Sequence, residues 1–368
     1  MASHVESVPF IQTDLQKQLA ALRRAIPVSR MLDYGVAPGD ALSVHASARD
    51  EHPQAWDVLC EFQAARYREL ARASMERGHR ATAAYAWRAV HALLQCAQLA
   101  FNADSPRKKE LYEGAHVAMQ AHADASDDLT ELRLAHEEGV LHGWEVRPLA
   151  QAARGAVVVL GGLSGWGAVY LGMARALAAR GFQVVLAEGP GQGLTRMHGG
   201  MHLDAKTLPL FSRFIDHAQS LAAGRIGVVG NSFGGLLAAH LAVRDPRVRA
   251  VAINGAPMAP TVPDFRTARE QMQAVFGVHT LDALARGLAD LCLEPVRHRT
   301  DAAMLIVQGG CDPLVPMDAQ KDFFQLASSQ VKTVLQWCDG EHTIYNHAPE
   351  RNLRMADWFV EQLVPHGP

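Results

Sequence analysis

The stretch VVGNSFGGLLAAHLA, residues 228–242, places one serine between two glycines where an apolar run gives way to an alanine- and leucine-rich segment. The run is typical of a buried strand, and the segment after Gly234 is typical of a helix. Because Gly230 and Gly234 carry no side chains, they permit a tight turn beside the strand and the helix. The stretch therefore predicts a strand–turn–helix unit that exposes the hydroxyl of Ser232.

Short apolar runs alternate with helix-like segments through the second half of the chain. Runs this apolar are buried on both faces, as parallel strands are, and their alternation with helices predicts an α/β fold with a mostly parallel sheet flanked by helices. An alternating pattern over residues 129–149 predicts a β-hairpin before them. The runs lie at residues 156–160, 182–187, 225–229, 249–254, 304–308 and 332–337.

The first part of the chain has the rhythm of helices. Residues 55–78 carry apolar side chains close to helical spacing, at Leu59, Phe62, Tyr67, Leu70 and Met75. Gly78 suits the end of this helix, and Ser105 with Pro106 suits the start of another. We therefore predict a helical domain over residues 1–127 and a catalytic domain over 128–368, with a helical excursion at about 257–300.

Composition excludes several classes of protein. The 368 residues are 49% hydrophobic and 20% charged, with a formal net charge of −3, so no basic surplus indicates nucleic acid or an anionic membrane. No apolar stretch approaches the ~20 residues of a membrane span, and MASHVESVPFIQTDLQ lacks the features of a signal peptide. The five scattered cysteines favour a reducing cytoplasm over a disulfide framework.

The serine turn predicts a nucleophile, because G-x-S-x-G between a strand and a helix exposes the hydroxyl at the sheet edge. A serine hydroxyl needs a base to remove its proton, and the partners of such a turn follow in the order acid, then histidine. Asp312 and His342 each come just after a predicted strand. We therefore predict Ser232 as nucleophile, His342 as general base and Asp312 as the acid that orients the imidazole.

Other residues near these positions remain alternatives. His347 follows His342 by five residues and could act as the base. Asp312 could instead be a turn residue before Pro313, since Asp-Pro often starts a turn. In that case the acid would be one of its neighbours in sequence, Asp318, Asp339 or Glu341.

A tetrahedral intermediate at Ser232 would need backbone N–H donors for its oxyanion. One predicted donor is the N–H of Phe233, directly after the serine. The other is the N–H of Leu163 in the loop GGLSGWG, with Gly162 as the alternative. These positions predict an oxyanion hole between two sheet loops.

Three aromatic residues are candidates for an apolar substrate cleft. Trp166 lies in the same glycine-rich loop, and Tyr85 and Trp87 lie in the helical half. Each also suits a hydrophobic core, and an aromatic side chain alone does not distinguish the two roles.

The stretch LAEGPGQGL, residues 186–194, carries three glycines after a predicted strand. Their spacing is not G-x-G-x-x-G, and Pro190 removes a backbone donor, so a nucleotide loop is disfavoured. No group of histidine, cysteine and aspartate has metal-ligand spacing. The sequence thus predicts a small-molecule substrate, no cofactor and no metal.

Together these residues make the sequence similar to the α/β-hydrolase superfamily, through VVVLGGL, EGPGQG, GNSFGG, LIVQGGCDPLVP, DGEHTIYNH and RMADWF between residues 157 and 359. More narrowly, it resembles the branch with an all-helical N-terminal domain, which includes 2,6-dihydroxypseudooxynicotine hydrolase, the FrsA-like proteins and fungal polyketide-shortening hydrolases. The resemblance implies a triad of Ser232, Asp312 and His342. It also implies a helical lid domain, with substrate held between the domains.

Several members of this branch cleave a carbon–carbon bond beside a ketone, so the resemblance implies hydrolysis of a β-dicarbonyl or polyketide-like aromatic ketone. It also makes a homodimer plausible. The nicotine-pathway enzyme uses an additional glutamate, for which only Asp264 is a candidate here. Glu188 replaces the aspartate common before P-G-Q-G, and Ser164 stands where relatives often carry an acid. Both departures suggest a different pocket.

Two other functions fit the same residues. A carboxylesterase or thioesterase would use the same triad, and its acyl–enzyme could also end in transfer or cyclisation. A non-catalytic binding protein that has kept the pocket belongs to another class. The complete set of serine, acid and histidine disfavours that reading.

Overall fold

Six helices precede the first strand in the part of the chain that this computed structural model describes, residues 13–149 and 152–365. Gly78 follows the fourth helix with φ +72°, and the Ser105 hydroxyl caps the sixth by accepting a hydrogen bond from the Lys108 N–H. Residues 1–12, on which the expectation of no signal peptide rests, lie outside the described residues. The helices are α1 (Asp14–Ala25), α2 (Val28–Tyr34), α3 (Pro38–Ser47), α4 (Trp56–Glu76), α5 (Arg80–Gln98) and α6 (Pro106–Ala125).

One sheet of eight strands follows within the described residues, in the order β1-β2-β4-β3-β5-β6-β7-β8. The pairs β1–β2 and β2–β4 are antiparallel, and the remaining pairs are parallel. The predicted hairpin and mostly parallel sheet are therefore confirmed. The strands are β1 (Leu129–His136), β2 (Gly139–Val146), β3 (Gly155–Leu160), β4 (Phe182–Glu188), β5 (Arg225–Asn231), β6 (Val248–Asn254), β7 (Ala303–Gly309) and β8 (Lys332–Trp337).

Helices cover both faces of this sheet. Val157 and Val159 of β3 pack in the core shared with the N-terminal helices, whereas Val158 packs in the core on the opposite face. This explains why the strand sequences are apolar without alternation. The remaining helices are α7 (Leu171–Ala178), α8 (Gly193–Met197), α9 (Ser212–Leu221), α10 (Phe233–Arg244), α11 (Arg266–Phe276), α12 (Leu281–Ala289), α13 (Met317–Lys321) and α14 (Ala348–Leu363).

The sheet order reverses at β3, which lies between β4 and β5. In open α/β sheets, ligands bind outside the carboxyl ends of the strands at such a switch point. The loop after β3 and the turn at Ser232 meet there. Helix α2 packs against this edge, in contact with the 3-10 segments Gly167–Tyr170 and His342–His347.

A buried ion pair joins α2 to α14. The guanidinium of Arg351 donates from Nη2 to Asp33 Oδ1 at 2.9 Å and from Nη1 to Asp33 Oδ2 at 3.2 Å. The two side chains are 1% and 8% exposed. Arg351 Nη1 also donates to the Thr343 carbonyl at 2.6 Å. The pair therefore ties the N-terminal helices to the segment that follows His342.

Replacing Asp33 with alanine should destabilise the protein, because it leaves the Arg351 charge buried without its partner. We expect Asp33→Ala to lower the free energy of unfolding by about 3–5 kcal/mol in urea titrations. Glu69→Ala, which removes an exposed ion pair with Arg72, should change it by less than about 1 kcal/mol. Equal losses in both variants would contradict this account.

Candidate active site

The turn at Ser232 has a backbone that only its glycine neighbours permit. Ser232 adopts φ 54° and ψ −133° at the junction of β5 and α10, and its N–H donates to the Asn254 carbonyl at 2.7 Å. A Cβ on Gly230 would collide with the carbonyl of Gly234, and a Cβ on Gly234 would collide with the carbonyl of Gly161. The strained conformation holds the hydroxyl at the sheet edge.

The structure brings Ser232, His342 and Asp312 into one hydrogen-bonded series. His342 Nε2 lies 2.9 Å from Ser232 Oγ, and His342 Nδ1 lies 2.8 Å from Asp312 Oδ2. The side chain of Asp312 is 1% exposed and that of His342 is 12% exposed. With the proton on Nδ1, His342 donates to Asp312 and accepts from Ser232, the arrangement that a general base requires.

Both oxygens of Asp312 are engaged. While Oδ2 faces His342, Oδ1 accepts hydrogen bonds from the N–H groups of Leu314 at 2.8 Å and Val315 at 3.1 Å. The turn after β7 thus fixes the carboxylate instead of leaving it free to rotate. Asp312 is a turn residue and a partner of His342 at the same time.

The segment after His342 is strained and clamped. Thr343 and Ile344 have φ of 53° and 61°, which is uncommon for residues with a branched side chain. The Thr343 carbonyl accepts from Arg351 and from Asn254 Nδ2, the latter at 3.1 Å. The Asn254 carbonyl also accepts a hydrogen bond from the Ser232 N–H. Asn254 therefore connects the serine turn to the segment after His342.

None of the alternative bases and acids is hydrogen-bonded to Ser232 or His342 within the described residues. His347 Nε2 is 2.9 Å from Asp339 Oδ2, on an exposed part of the surface. Glu341 accepts a hydrogen bond from the Ser29 hydroxyl, and Asp318 is exposed on α13. It is His342 and Asp312 that approach Ser232.

The loop after β3 passes directly over the serine. A Cβ on Gly162 would lie 2.9 Å from Ser232 Cβ, so only glycine fits. The indole Nε1–H of Trp166 donates to the Gly162 carbonyl at 2.8 Å. Because the carbonyl and N–H of a trans peptide point in opposite directions, this bond turns the N–H of Leu163 away from Trp166. No acceptor among the described residues takes the N–H of Leu163 or of Phe233.

A cavity of about 360 Å³ opens at this edge. The described residues that line it come from α1, α2, the loops after β3 and β7, the serine turn, α11 and the histidine segment, and include Arg30, Tyr34, Leu163, Ser164, Ser232, Gln271 and His342. The N-terminal helices therefore supply part of the wall around Ser232. Among the residues considered as departures from relatives, Ser164 lines the cavity, and Glu188 lies outside its lining.

The three predicted cleft aromatics are not part of this lining in the described residues. Trp166 is fully buried, because its ring packs against Tyr112 and its N–H serves the loop. Tyr85 is 55% exposed on α5, and Trp87 packs against the core of the helices. Asp264, the candidate for an additional acid, is exposed and also lies outside the lining.

A buried polar cluster lies under Trp166. The guanidinium carbon of Arg196 lies 4.9 Å from the centroid of the indole ring, and Lys108 Nζ lies 5.9 Å from it. Burial, and then the nearby charge of Arg196, lowers the pKa of Lys108 to about 7. Burial likewise raises the pKa of Glu188 to about 7, although a hydrogen bond from the Leu194 N–H at 2.8 Å opposes the shift.

Known proteins share this architecture. A family model described as the alpha/beta hydrolase fold matches residues 155–291. The solved structure of 2,6-dihydroxy-pseudo-oxynicotine hydrolase superposes on this chain with a TM-score of 0.80 and 22% sequence identity. The match covers 91% of this chain and 95% of that chain. The chain has the α/β-hydrolase fold. Wild-type AbyA5 is 19% identical with a TM-score of 0.73, and 94% of each chain is covered.

More distant structures match a smaller part of the chain. Pyrococcus horikoshii acylaminoacyl peptidase is 14% identical with a TM-score of 0.50, covering 66% of this chain and 42% of that chain. No curated protein sequence matches significantly. The predicted resemblance to the superfamily, and to its branch with a helical N-terminal region, is confirmed. The matches support an α/β-hydrolase enzyme.

Neither a metal site nor a membrane-spanning helix is found among the residues that the structure describes. No group of three or more histidine, cysteine, aspartate or glutamate side chains there could hold a metal ion. No described helix is long and apolar enough to cross a membrane. All five cysteines are free thiols.

Sequence reasoning missed the contribution of α2 to the cavity. Arg30 and Tyr34 are one helical turn apart, yet nothing in that local spacing marks them as site residues. The hydrogen bond from Arg30 to Ser164 spans 134 positions of the chain. Only the packing of α2 on the sheet edge reveals it.

Substituting Glu188 with glutamine should make stability less dependent on pH. The pKa of Glu188 rises from 4.5 to about 7 on folding, so the folded protein holds a proton that the unfolded chain loses between these values, and stability falls as the pH rises through them. Relative to wild type, Glu188→Gln should gain on the order of 2–3 kcal/mol between pH 4 and pH 8 in denaturant titrations. Glu69→Gln is the exposed control, and parallel pH profiles for wild type and Glu188→Gln would refute the assignment.

Proposed function

We propose that the protein is a serine hydrolase in which Ser232, His342 and Asp312 form the catalytic triad. The observation that carries this proposal is the unbroken series of two hydrogen bonds, 2.9 and 2.8 Å, from Ser232 through His342 to Asp312 at the wall of a cavity. Such a series activates a hydroxyl that is otherwise a weak nucleophile.

In the proposed reaction, Ser232 Oγ attacks a carbonyl carbon of the substrate while His342 Nε2 takes its proton. Asp312 holds the imidazole by Nδ1 and stabilises the imidazolium. The N–H groups of Phe233 and Leu163 receive the oxyanion, and the start of α10 favours negative charge there. The bond between acyl carbon and leaving group then breaks, and His342 returns the proton to the leaving fragment. Water releases the acyl group from Ser232 by the same steps.

We propose a β-dicarbonyl or polyketide-like aromatic ketone as substrate. When its carbon–carbon bond breaks, the electron pair forms an enolate, which the second carbonyl stabilises and His342 protonates at carbon. Support comes from the similarity to the structure of 2,6-dihydroxy-pseudo-oxynicotine hydrolase, which covers 91% of this chain and 95% of that chain. If the N-terminal helices line the cavity in both proteins, the substrate enters a similar cavity in each.

Residues 1–127 are proposed to act as a helical lid domain on a catalytic domain formed by residues 128–368. The cavity supports this division, because Arg30 and Tyr34 line it from one side while Ser232 and His342 line it from the other. Substrate would then lie between the two domains.

Hydrolysis of a carboxylic ester or thioester is the second candidate. The same triad and oxyanion donors suffice for it. It is favoured by the position of Asp264, the candidate for the additional acid of the nicotine-pathway enzyme, which lies outside the cavity lining. Turnover of p-nitrophenyl esters with inert 1,3-diketones would select this candidate, and the reverse pattern would select carbon–carbon cleavage.

Removing the nucleophile should abolish either activity. We expect Ser232→Ala to lower kcat at least about 10⁴-fold on the substrate that wild type turns over, because the triad acts as a unit. A fluorophosphonate, which labels activated serines, should modify wild type and fail to modify this variant. Ser328→Ala, at an exposed serine, is the control. Undiminished turnover by Ser232→Ala would overturn the nucleophile assignment.

Trp166→Phe should weaken catalysis without weakening binding, because it removes the bond that orients the Leu163 peptide. Loss of an oriented donor should lower kcat by roughly tenfold or more while KM changes little. Trp358→Phe is a matched control, since it also removes a buried indole N–H bond, to Thr333, away from the cavity. Equal kcat values for the two variants would contradict the orienting role.

A further inference from the structure

A cation stands in the wall of the cavity beside the serine. Arg30 of α2 lines the cavity that also holds Ser232 and His342. Its Nη2 donates to the hydroxyls of Tyr34 at 2.9 Å and Ser164 at 3.0 Å. No carboxylate in the described part of the chain lies within ion-pair distance of it. A partly buried charge that lacks a counter-charge in a ligand cavity is suited to an anionic ligand.

The hydrogen bonds that Arg30 makes leave one guanidinium N–H and two hydroxyl protons without an acceptor among the described residues. The guanidinium has five N–H donors, and the bonds to Tyr34, Ser164 and the Ala25 carbonyl occupy four of them. Since both hydroxyls accept from the cation, their own protons are free for another acceptor. None among the described residues takes them. Burial raises the pKa of Tyr34, so its hydroxyl keeps its proton at neutral pH.

These donors lie beside the loop that carries the oxyanion site. Ser164 directly follows Leu163, and a Cβ on Gly165 would overlap the Tyr34 hydroxyl. Two other charged side chains line the cavity besides His342: Arg24, and Glu341, which accepts from Ser29. Arg30 is therefore the charged side chain that contacts the loop after β3, through its hydrogen bond to Ser164.

We propose that Arg30, Tyr34 and Ser164 form a subsite for an anionic group of the substrate, in which two oxygen atoms share one negative charge. A carboxylate and the enolate of a 1,3-dicarbonyl both have this chemistry, and charge-assisted hydrogen bonds to Arg30 and the two hydroxyls recognise either. The subsite rests on the proposed function, because it places the anion next to the carbonyl that Ser232 attacks. The substrate class is thus an acidic carbonyl compound.

Binding to the full-length Ser232→Ala protein tests the subsite without turnover. Calorimetry at pH 8 compares 4-acetylbenzoate with its methyl ester, and dimedone with its 2,2-dimethyl derivative, which cannot form the enolate between its carbonyls. In at least one pair, the anionic member should bind at least about tenfold more tightly. The first pair reports a carboxylate site, and the second reports an enolate site.

Variants of Arg30 in the same background identify the group responsible. Arg30→Gln should abolish the preference and leave the neutral members bound within about threefold, whereas Arg30→Lys should keep part of it. Arg72→Gln, at an exposed arginine of α4, should change nothing. Should Arg30→Gln fail to fold, Tyr34→Phe, which removes one donor, should reduce the preference instead.

Equal binding of both members in both pairs, or a preference that survives in Arg30→Gln, would overturn the subsite. Those results are independent of the triad. A chain that prefers anions but labels with no fluorophosphonate and turns over no carbonyl compound would contradict the proposed function instead, and normal turnover with equal binding would contradict the subsite alone.

Discussion

Backbone contact among Gly161, Gly230 and Gly234 is the constraint on which the site depends. Side chains at these positions would occupy the space through which β3, β5 and α10 approach one another. Their absence lets the chain turn at Ser232 with φ 54°, and the turn sets where the hydroxyl stands. The loop after β3 is held against the same point, so one contact positions both Ser232 and the N–H of Leu163, which we propose as nucleophile and oxyanion donor. Any shift of this contact would move both together.

The rest of the site is fastened to this turn by polar contacts from distant segments. Asn254 receives the Ser232 N–H on its carbonyl and donates from its side chain to the Thr343 carbonyl. Arg351 donates to the same carbonyl and pairs with Asp33 of α2. His342 is thereby positioned with respect to Ser232 on one side and to the helical wall of the cavity on the other. The packing of the N-terminal helices therefore also affects the position of His342.

Whether the sequence could predict a feature depends on how far apart along the chain the interacting residues lie. The association of Ser232, Asp312 and His342 was predictable, because each follows a strand of one parallel sheet and such strands end at one edge. The buried face of α4 was not. Phe62, one of its regularly spaced apolar residues, is 75% exposed, whereas Cys60 and Ala64 are fully buried. Small residues make up much of the buried face where helices pack closely. Some large apolar residues of the pattern are therefore exposed, such as Phe62 and Met75, although Tyr67 is buried.

For Trp166 the sequence left two roles open for a related reason. An aromatic residue in a site loop suits a substrate cleft, yet its N–H can equally hold the loop's own carbonyl, and only the position of Gly162 decides. Arg30 gave no local signal of a site residue, because its hydrogen bond to Ser164 in the loop after β3 spans 134 positions of the chain. In the proposed function, loops of the sheet supply the reacting groups, and α2 supplies Arg30 to the cavity wall. Motifs of the sheet can therefore persist while the helices change the ligand, which is why such motifs indicate the chemistry more sharply than the substrate.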